Sequence, residues 1–227
     1  MTDQDPWRSR TEDYTAEERV RLDKCADLLR KVQSGRPGPL EVLDIGCGCG
    51  AMGQLLSGPQ FRLSGIELDS RSADEARRHY AEVAVQDLTA RWPFDDHRFD
   101  ALLALAVLEH VVDYRALLCQ AARVLKPGGC LIVEVPNLGY WKEVRKLLFR
   151  KQPHWLKQYD HVRGWTLGYL KVALAEHGFV AVHAECDRLN LPLVPASRWM
   201  ERHLASWGRV LIVQLVKANG TPTSCRE

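Results

Sequence analysis

The sequence lacks an apolar run of about 18 residues, the length that a membrane-spanning helix requires. Its first six residues are polar and acidic, without the basic-then-apolar pattern of a secretion signal. Internal repeats and low-complexity tracts are also missing. We therefore expect a globular, cytoplasmic protein.

Neither sign of charge dominates, since 31 Lys and Arg face 29 Asp and Glu and the net charge is +2. A broad nucleic-acid footprint needs a clear cationic excess, so no nucleic-acid partner is expected. The cysteines are odd in number, 7, and spread through helical and strand patterns, which favours reduced thiols in a cytosol. Cys47 and Cys49 are closer in sequence than a zinc-binding pair, so no metal is expected.

The chain of 227 residues, 46% of them hydrophobic, is large enough for one domain with a substantial core. Residues 1–33 are expected to form an N-terminal helical cap, with a helix over 15–32 that Thr15 and Glu18 begin as a capping box. Residues 34–227 form the main domain. Strand and helix patterns alternate from 40 to 135, which predicts an α/β fold with a doubly wound parallel sheet.

The segment 41–50, Glu-Val-Leu-Asp-Ile-Gly-Cys-Gly-Cys-Gly, is the most informative part of the chain. Its apolar residues predict a buried parallel strand. The glycines that follow allow a tight turn and close approach of a ligand, and residues 51–56 predict a helix with free N–H groups at its start. We infer a loop that holds a polar or anionic part of a nucleotide-like ligand.

The details of this loop disfavour a dinucleotide or a triphosphate. The spacing is Gly-x-Gly-x-Gly, and no Gly-Lys-Ser/Thr ending follows. Asp44 precedes the first glycine by two residues, where its charge would repel a pyrophosphate and attract an ammonium group. A nucleoside that carries an amino acid fits this pattern better.

These residues resemble the first motif of class I S-adenosylmethionine (SAM) dependent methyltransferases. Four later segments resemble the remaining motifs in the correct order: 61–69, 84–88, 99–110 and 124–129. The resemblance implies a Rossmann-like sheet of seven strands, the last antiparallel, with helices on both faces. Residues 179–184 and 209–216 are then the expected sixth and seventh strands.

The resemblance also implies roles for individual residues. Asp44 and the glycine loop would hold the amino-acid end of SAM, and the end of the second strand would hold the ribose. The third motif, 84–88, would hold the adenine. The fourth strand would add a backbone contact. The expected cofactor-binding residues are Asp44, Gly46, Cys47, Gly48, Gly50, Glu67, Leu68, Asp87, Leu88 and Ala104.

Each role has a structural alternative. Asp44 could be a capping residue, Glu67 a solvated strand end, and Asp87 part of a turn with Thr89. His110, after the fourth strand, and His161 are candidates for taking a proton from an acceptor hydroxyl. Both histidines could instead have only packing roles, because positioning alone can drive methyl transfer.

Residues 136–166 form an insertion after the fifth strand, where this fold usually builds its acceptor pocket. Within it, 140–163 is basic and interleaved with aromatic residues, and 140, 144, 147 and 148 share one helical face. Such a segment could contact a membrane surface or an acidic partner. The favoured interpretation is an amphipathic cover helix with a solvated cationic face.

The run Pro136–Trp141 and the run 160–166 resemble MetW-like proteins and ubiquinone-type O-methyltransferases. We therefore expect transfer of the SAM methyl group to a small-molecule acceptor, most readily at oxygen, by a monomer or homodimer. One alternative is a non-catalytic SAM-binding protein that acts on a protein partner. A nicotinamide-dependent dehydrogenase on the same sheet is a more distant one.

Overall fold

A computed structural model describes residues 15–153, 161–191 and 197–219, and seven strands in these ranges form one sheet in the order β3-β2-β1-β4-β5-β7-β6. β7 is antiparallel to β5 and β6, and the other neighbours are parallel. The predicted seven-stranded α/β fold is therefore confirmed. The strands are β1 (Leu40–Ile45), β2 (Phe61–Glu67), β3 (Glu82–Val85), β4 (Phe99–Leu105), β5 (Leu125–Pro136), β6 (Phe179–Cys186) and β7 (Val210–Lys217).

Helices connect the strands, and a short 3-10 turn, Ala205–Trp207, precedes β7. The helices are α1 (Ala16–Gln33), α2 (Ala51–Leu55), α3 (Ser70–Ala76), α4 (Tyr114–Val124), α5 (Trp141–Leu148), α6 (Leu167–Ala175) and α7 (Arg198–His203). None of the helices among the described residues is long and apolar enough to cross a bilayer.

Local sequence signals explain where two helices begin. Before α1, the Thr15 hydroxyl accepts a hydrogen bond from the Glu18 backbone N–H and the Glu18 carboxylate accepts from that of Thr15, which is the predicted capping box. Before α3, the Asp69 carboxylate accepts from the Ser72 N–H at 2.8 Å. Because Asp69 is the cap, α3 starts at Ser70, and it ends at Ala76.

Helices cover both faces of the sheet. Successive strand side chains point to opposite faces, so neighbouring residues of β1 join different hydrophobic clusters. Val42 packs in the cluster that contains Leu29 of α1. Leu43 packs in the cluster that contains Leu117 of α4 and Leu170 of α6. The sheet is therefore buried on both sides, as a doubly wound fold requires.

The strand order reverses between β1 and β4, and ligands of such sheets bind in the crevice outside the carboxyl ends of the strands at that point. The glycine loop follows β1 there, and the expected contact residues of β2 and β4 end at the same edge. The fold thus brings these segments, remote in sequence, to one crevice.

The segment after β5 differs from the expected cover helix. Leu147, Leu148 and Phe149 are 51%, 77% and 71% exposed. Tyr140, which was expected on the same apolar face, precedes α5 and is buried. The helix therefore exposes the apolar residues that the amphipathic pattern assigned to a buried face. Residues 154–160 of the predicted basic segment lie outside the described residues, as do 1–14 of the N-terminal cap.

Candidate functional site

The loop after β1 requires its glycines for two different reasons. Gly46, Gly48 and Gly50 have φ angles of 67°, 52° and 88°, in the left-handed region that favours glycine. A Cβ on Gly48 would meet nothing within 4 Å, whereas one on Gly50 would lie 2.9 Å from the Ala76 Cα. Gly48 thus leaves open space in the loop, and Gly50 allows α3 to pack against it.

A cavity of about 890 Å³ opens at the carboxyl edge, beside this loop. Most of the predicted cofactor-binding residues line it together with one candidate base: Asp44, Gly46, Cys47, Gly48, Glu67, Leu68, Asp87, Leu88 and His110. The fold therefore brings the ends of β1, β2, β3 and β4 to one site.

Two predicted residues are absent from the described lining of this cavity. Gly50 packs against α3, as its close approach to Ala76 shows. Ala104 lies within β4 and is 1% exposed, whereas Leu105 and Ala106 line the cavity in its place. β4 continues to Leu105, so the strand reaches the crevice one residue after Ala104, and a contact between the Ala104 backbone and the cofactor stays a prediction.

The Glu67 carboxylate connects the glycine loop to the end of β2. Its Oε2 accepts from the Gly48 N–H at 2.9 Å, and its Oε1 accepts from the N–H groups of Leu68 and Asp69 at 2.9 and 3.0 Å. A carboxylate offers about four acceptor positions, so these bonds leave acceptor capacity for a ligand hydroxyl. Glu67 is thus ordered by the backbone on the wall of the cavity, unlike a solvated strand end.

Asp44 is buried and accepts a hydrogen bond from the Tyr80 hydroxyl at 2.6 Å. Burial raises the pKa of Asp44 to about 7, against the lowering effect of the Tyr80 bond, and the charge of Glu67 raises it further. A cation in the cavity would stabilise the ionised form. Sequence reasoning missed Tyr80, because nothing near residue 80 signals a contact with β1.

Asp87 shows the turn contacts that were its structural alternative. Its Oδ1 accepts from the backbone N–H and the hydroxyl of Thr89, both at 2.8 Å. The Thr89 N–H donation lowers the Asp87 pKa most, followed by the hydroxyl, so the side chain is held ionised. Asp87 also lines the cavity, so the turn positions a carboxylate at its wall.

A second cavity of about 500 Å³ lies beside the first. His161 and Arg163 line it together with Tyr140, from the start of the insertion. Glu18 and Arg21 of α1 line both cavities. The two spaces are therefore neighbours, separated in part by α1.

His110 and His161 meet where the cavities adjoin. Their rings pack edge to face with centroids 4.8 Å apart, and each lines a different cavity. The backbone of 162–163 is tied to Glu109, whose carbonyl accepts from the N–H groups of Val162 and Arg163. Possible ligand atoms of Glu109, His110 and His161 lie within 4.8 Å of one another, so this group has the ligand types of a metal site.

Helix α1 contributes residues that the sequence did not indicate. The Arg21 guanidinium donates to the Glu134 carboxylate of β5 at 2.5 Å, and the Glu134 side chain is buried. Burial raises the pKa of Glu134, and Arg21 opposes that rise. This contact, 113 residues apart in sequence, places Arg21 at the boundary of the cavities.

Four features define a nucleoside-binding domain of the class I methyltransferase type. They are the sheet order, the antiparallel β7, the glycine loop and the acidic ends of β1 and β2. A model of a methyltransferase domain family matches residues 16–184, most of the chain. The chain therefore belongs to this family. The predicted family, the class I SAM-dependent methyltransferases, is confirmed, and SAM is the cofactor of that family.

Individual relatives agree with this family. A demethylmenaquinone methyltransferase of Tropheryma whipplei is 36% identical over 96 residues, 41% of this chain and 40% of the relative. A ubiquinone biosynthesis O-methyltransferase of Alkalilimnicola ehrlichii is 31% identical over 127 residues, 52% of this chain and 48% of the relative. The chain thus spans about half the length of these relatives, or less. A SAM-dependent methyltransferase structure from Thermotoga maritima is 20% identical, covering 87% of this chain and 90% of that one, and its TM-score of 0.61 shows the same fold.

The residues present fit the chemistry of SAM. A bound amino acid offers an ammonium group, which the buried Asp44 would neutralise. Ribose hydroxyls are donors, and Glu67 is an acceptor on the cavity wall. The open side of Gly48 leaves room at the loop. Which residues contact SAM remains a prediction.

Proposed function

We propose that this protein transfers the methyl group of SAM to an oxygen of a small-molecule acceptor. The observation that carries the proposal is the contact between His110 and His161, at 4.8 Å between ring centroids, where the cofactor-side cavity adjoins the second cavity. The relatives support oxygen as the acceptor atom, since one is a ubiquinone biosynthesis O-methyltransferase.

The first cavity would hold SAM, with Asp44 at its ammonium group, Glu67 and Leu68 at the ribose, and Asp87 with the Leu88 backbone at the adenine. When bound, SAM supplies a methyl group on a positively charged sulfur that an acceptor oxygen can attack. The protein holds both reactants in place, which by itself removes much of the barrier to a bimolecular reaction.

The second cavity would hold the acceptor. It is lined by apolar and polar groups, among them Leu138, Tyr140 and Arg163, which suits a small molecule with a hydroxyl and an apolar portion. An imidazole at the boundary, of His110 or His161, would take the proton of the acceptor hydroxyl as the new bond to oxygen forms.

The test is a labelled-methyl assay of the purified protein with SAM and a metabolite extract, run beside calorimetry with S-adenosylhomocysteine. We expect binding of S-adenosylhomocysteine and a labelled, alkali-stable product that mass spectrometry identifies as a methyl ether. Binding with no labelled product would support the non-catalytic alternative. No binding to a folded sample would overturn the cofactor assignment.

A further inference from the structure

Large apolar side chains are exposed on two elements at the carboxyl edge of the sheet. On α5 and the residue after it they are Leu147, Leu148 and Phe149. On α7 and the 3-10 turn they are Trp199 and Trp207, at 65% and 58% exposure. Single exposed apolar residues are ordinary, but groups of this size mark interaction surfaces.

These two elements are joined near their ends. The Asn137 side-chain amide donates to the carbonyls of Ser206 and Gly208 at 2.9 and 2.7 Å, just before α5 begins. A Cβ on Gly139 would lie 2.9 Å from the Ser206 carbonyl oxygen. The start of α5 is therefore fixed against the turn that carries Trp207. We call residues 141–151 and 198–207 together the apolar-basic face.

The charge exposed on this face is positive. Its acidic residues are Glu143 and Glu201, and both are buried. Glu143 accepts from Lys146 and Glu201 accepts from Lys24, each at 2.7 Å, so both negative charges are neutralised inside the protein. Among the described residues, the cationic side chains on the face without such a pairing are Lys142, Arg145, Arg150, Lys151 and Arg202, whereas Lys146 and Arg198 are paired with Glu143 and Asp27.

We propose that the apolar-basic face docks on the surface of an anionic lipid bilayer. Leucine and phenylalanine side chains would enter the headgroup boundary, where tryptophan rings are also favoured. The Lys and Arg side chains would meet the negative surface potential that anionic lipids create. An acidic protein would satisfy the cations, but the combination with exposed leucine, phenylalanine and tryptophan matches a bilayer interface better.

The position of this face bears on the acceptor. Tyr140 and Glu143, at the start of α5, line the second cavity, so the docked helix would lie at its border. An acceptor that partitions into the bilayer would then reach the cavity from the lipid side. This last step rests on the proposed function, whereas docking itself does not.

The experiment is co-flotation of the intact protein with vesicles of phosphatidylcholine alone or mixed with phosphatidylglycerol, together with tryptophan fluorescence. We expect flotation and a blue shift of emission only with the anionic vesicles, weakened by added salt because exposed charges are screened. No flotation with anionic vesicles would overturn the proposal. Binding to polyglutamate without flotation would do the same and assign the face to an acidic protein.

Paired variants test the residues involved. Leu148→Glu with Phe149→Glu removes the apolar contact, and Arg150→Glu with Lys151→Glu reverses two charges; each pair should weaken vesicle binding by about tenfold or more. The matched control is Val180→Glu, an exposed position at the amino end of β6, away from the carboxyl edge of the sheet that carries the face. This variant should bind vesicles like the parent protein. Equal loss in the control, or no loss in either pair, would contradict the proposal. Binding of S-adenosylhomocysteine to the parent protein tests the proposed function. The same binding retained in each variant shows that the variant is folded.

Discussion

The Tyr80 hydroxyl donates to Asp44 Oδ2 across 2.6 Å, joining the turn after α3 to β1 next to the glycine loop. Tyr80→Phe keeps the ring that packs beside Gly53 and removes only this donor. Losing a hydrogen bond to a buried carboxylate should lower the free energy of unfolding by about 1–3 kcal/mol at pH 8. Urea denaturation measures this loss. Tyr169→Phe, at an exposed tyrosine whose hydroxyl accepts from Arg163 at 3.4 Å, should cost less than Tyr80→Phe.

Asp44 should make stability depend on pH. Its pKa is about 7 in the folded protein and about 3.9 in an unfolded chain. The folded state therefore binds the extra proton between these values, so stability falls as pH rises from about 4 to about 7 and then levels, by at most about 4 kcal/mol. Asp44→Asn should lack this part of the slope in urea titrations of the ligand-free protein. An unchanged slope in the variant would place the titration elsewhere.

Glu67→Gln should weaken SAM binding strongly. The amide keeps one acceptor oxygen and loses the charge, so it cannot both hold the Gly48 loop and accept from a ribose. We expect an affinity about 100-fold lower, since bonds to a charged acceptor are worth about 1.5–3 kcal/mol each. Calorimetry with S-adenosylhomocysteine checks this. Asp74→Asn, which changes an exposed carboxylate of α3, serves as control and should bind normally.

The two histidines can be separated by kinetics. If His110 is the base, His110→Gln should lower kcat by about 100-fold or more and leave the KM for SAM nearly unchanged. An acceptor with a more acidic hydroxyl should restore much of the rate, because it needs less help to lose its proton. His161→Gln is tested in the same way, and His79→Gln, at an exposed position, is the control. Equal losses with both acceptors would indicate a packing role.

Arg21→Met should destabilise the protein by about 3–5 kcal/mol, because it leaves the Glu134 carboxylate buried without its cation. Adding Glu134→Gln removes the uncompensated charge and should recover most of the loss. Denaturation of both variants measures the difference. Arg30→Met breaks an exposed pair with Asp27 and should cost less than about 1 kcal/mol. A loss for Arg21→Met no larger than this control would show that the pair contributes little.

The sequence predicted the sheet, and most of the cofactor-binding residues that it indicated line the first cavity, because their signals are local. An apolar run that ends in an acid marks a strand end, and Asp44 and Glu67 carry that signature. Such signals do not fix the last residue of a strand, and Ala104 stays a predicted backbone contact. A strand alternates its faces at every residue, so a one-residue difference in where β4 ends decides which alanine meets the cavity.

Contacts between distant segments had no such local signal. The Arg21 and Tyr80 contacts depend on how α1 and α3 pack on the sheet. The α5 pattern predicted amphipathicity correctly, but periodicity does not say whether the apolar face meets the same chain. The tertiary structure shows that Leu148 is exposed, which the sequence pattern could not indicate.

Because Glu18 and Arg21 border both cavities, the two binding sites share part of one wall. A ligand that shifts or orders α1 from one side changes the free energy of binding on the other. Thermodynamic reciprocity then requires each ligand to alter the affinity of its neighbour by the same factor. Affinities for donor and acceptor measured singly would differ from those in the ternary complex, and Arg21 is the side chain through which we expect that coupling to act.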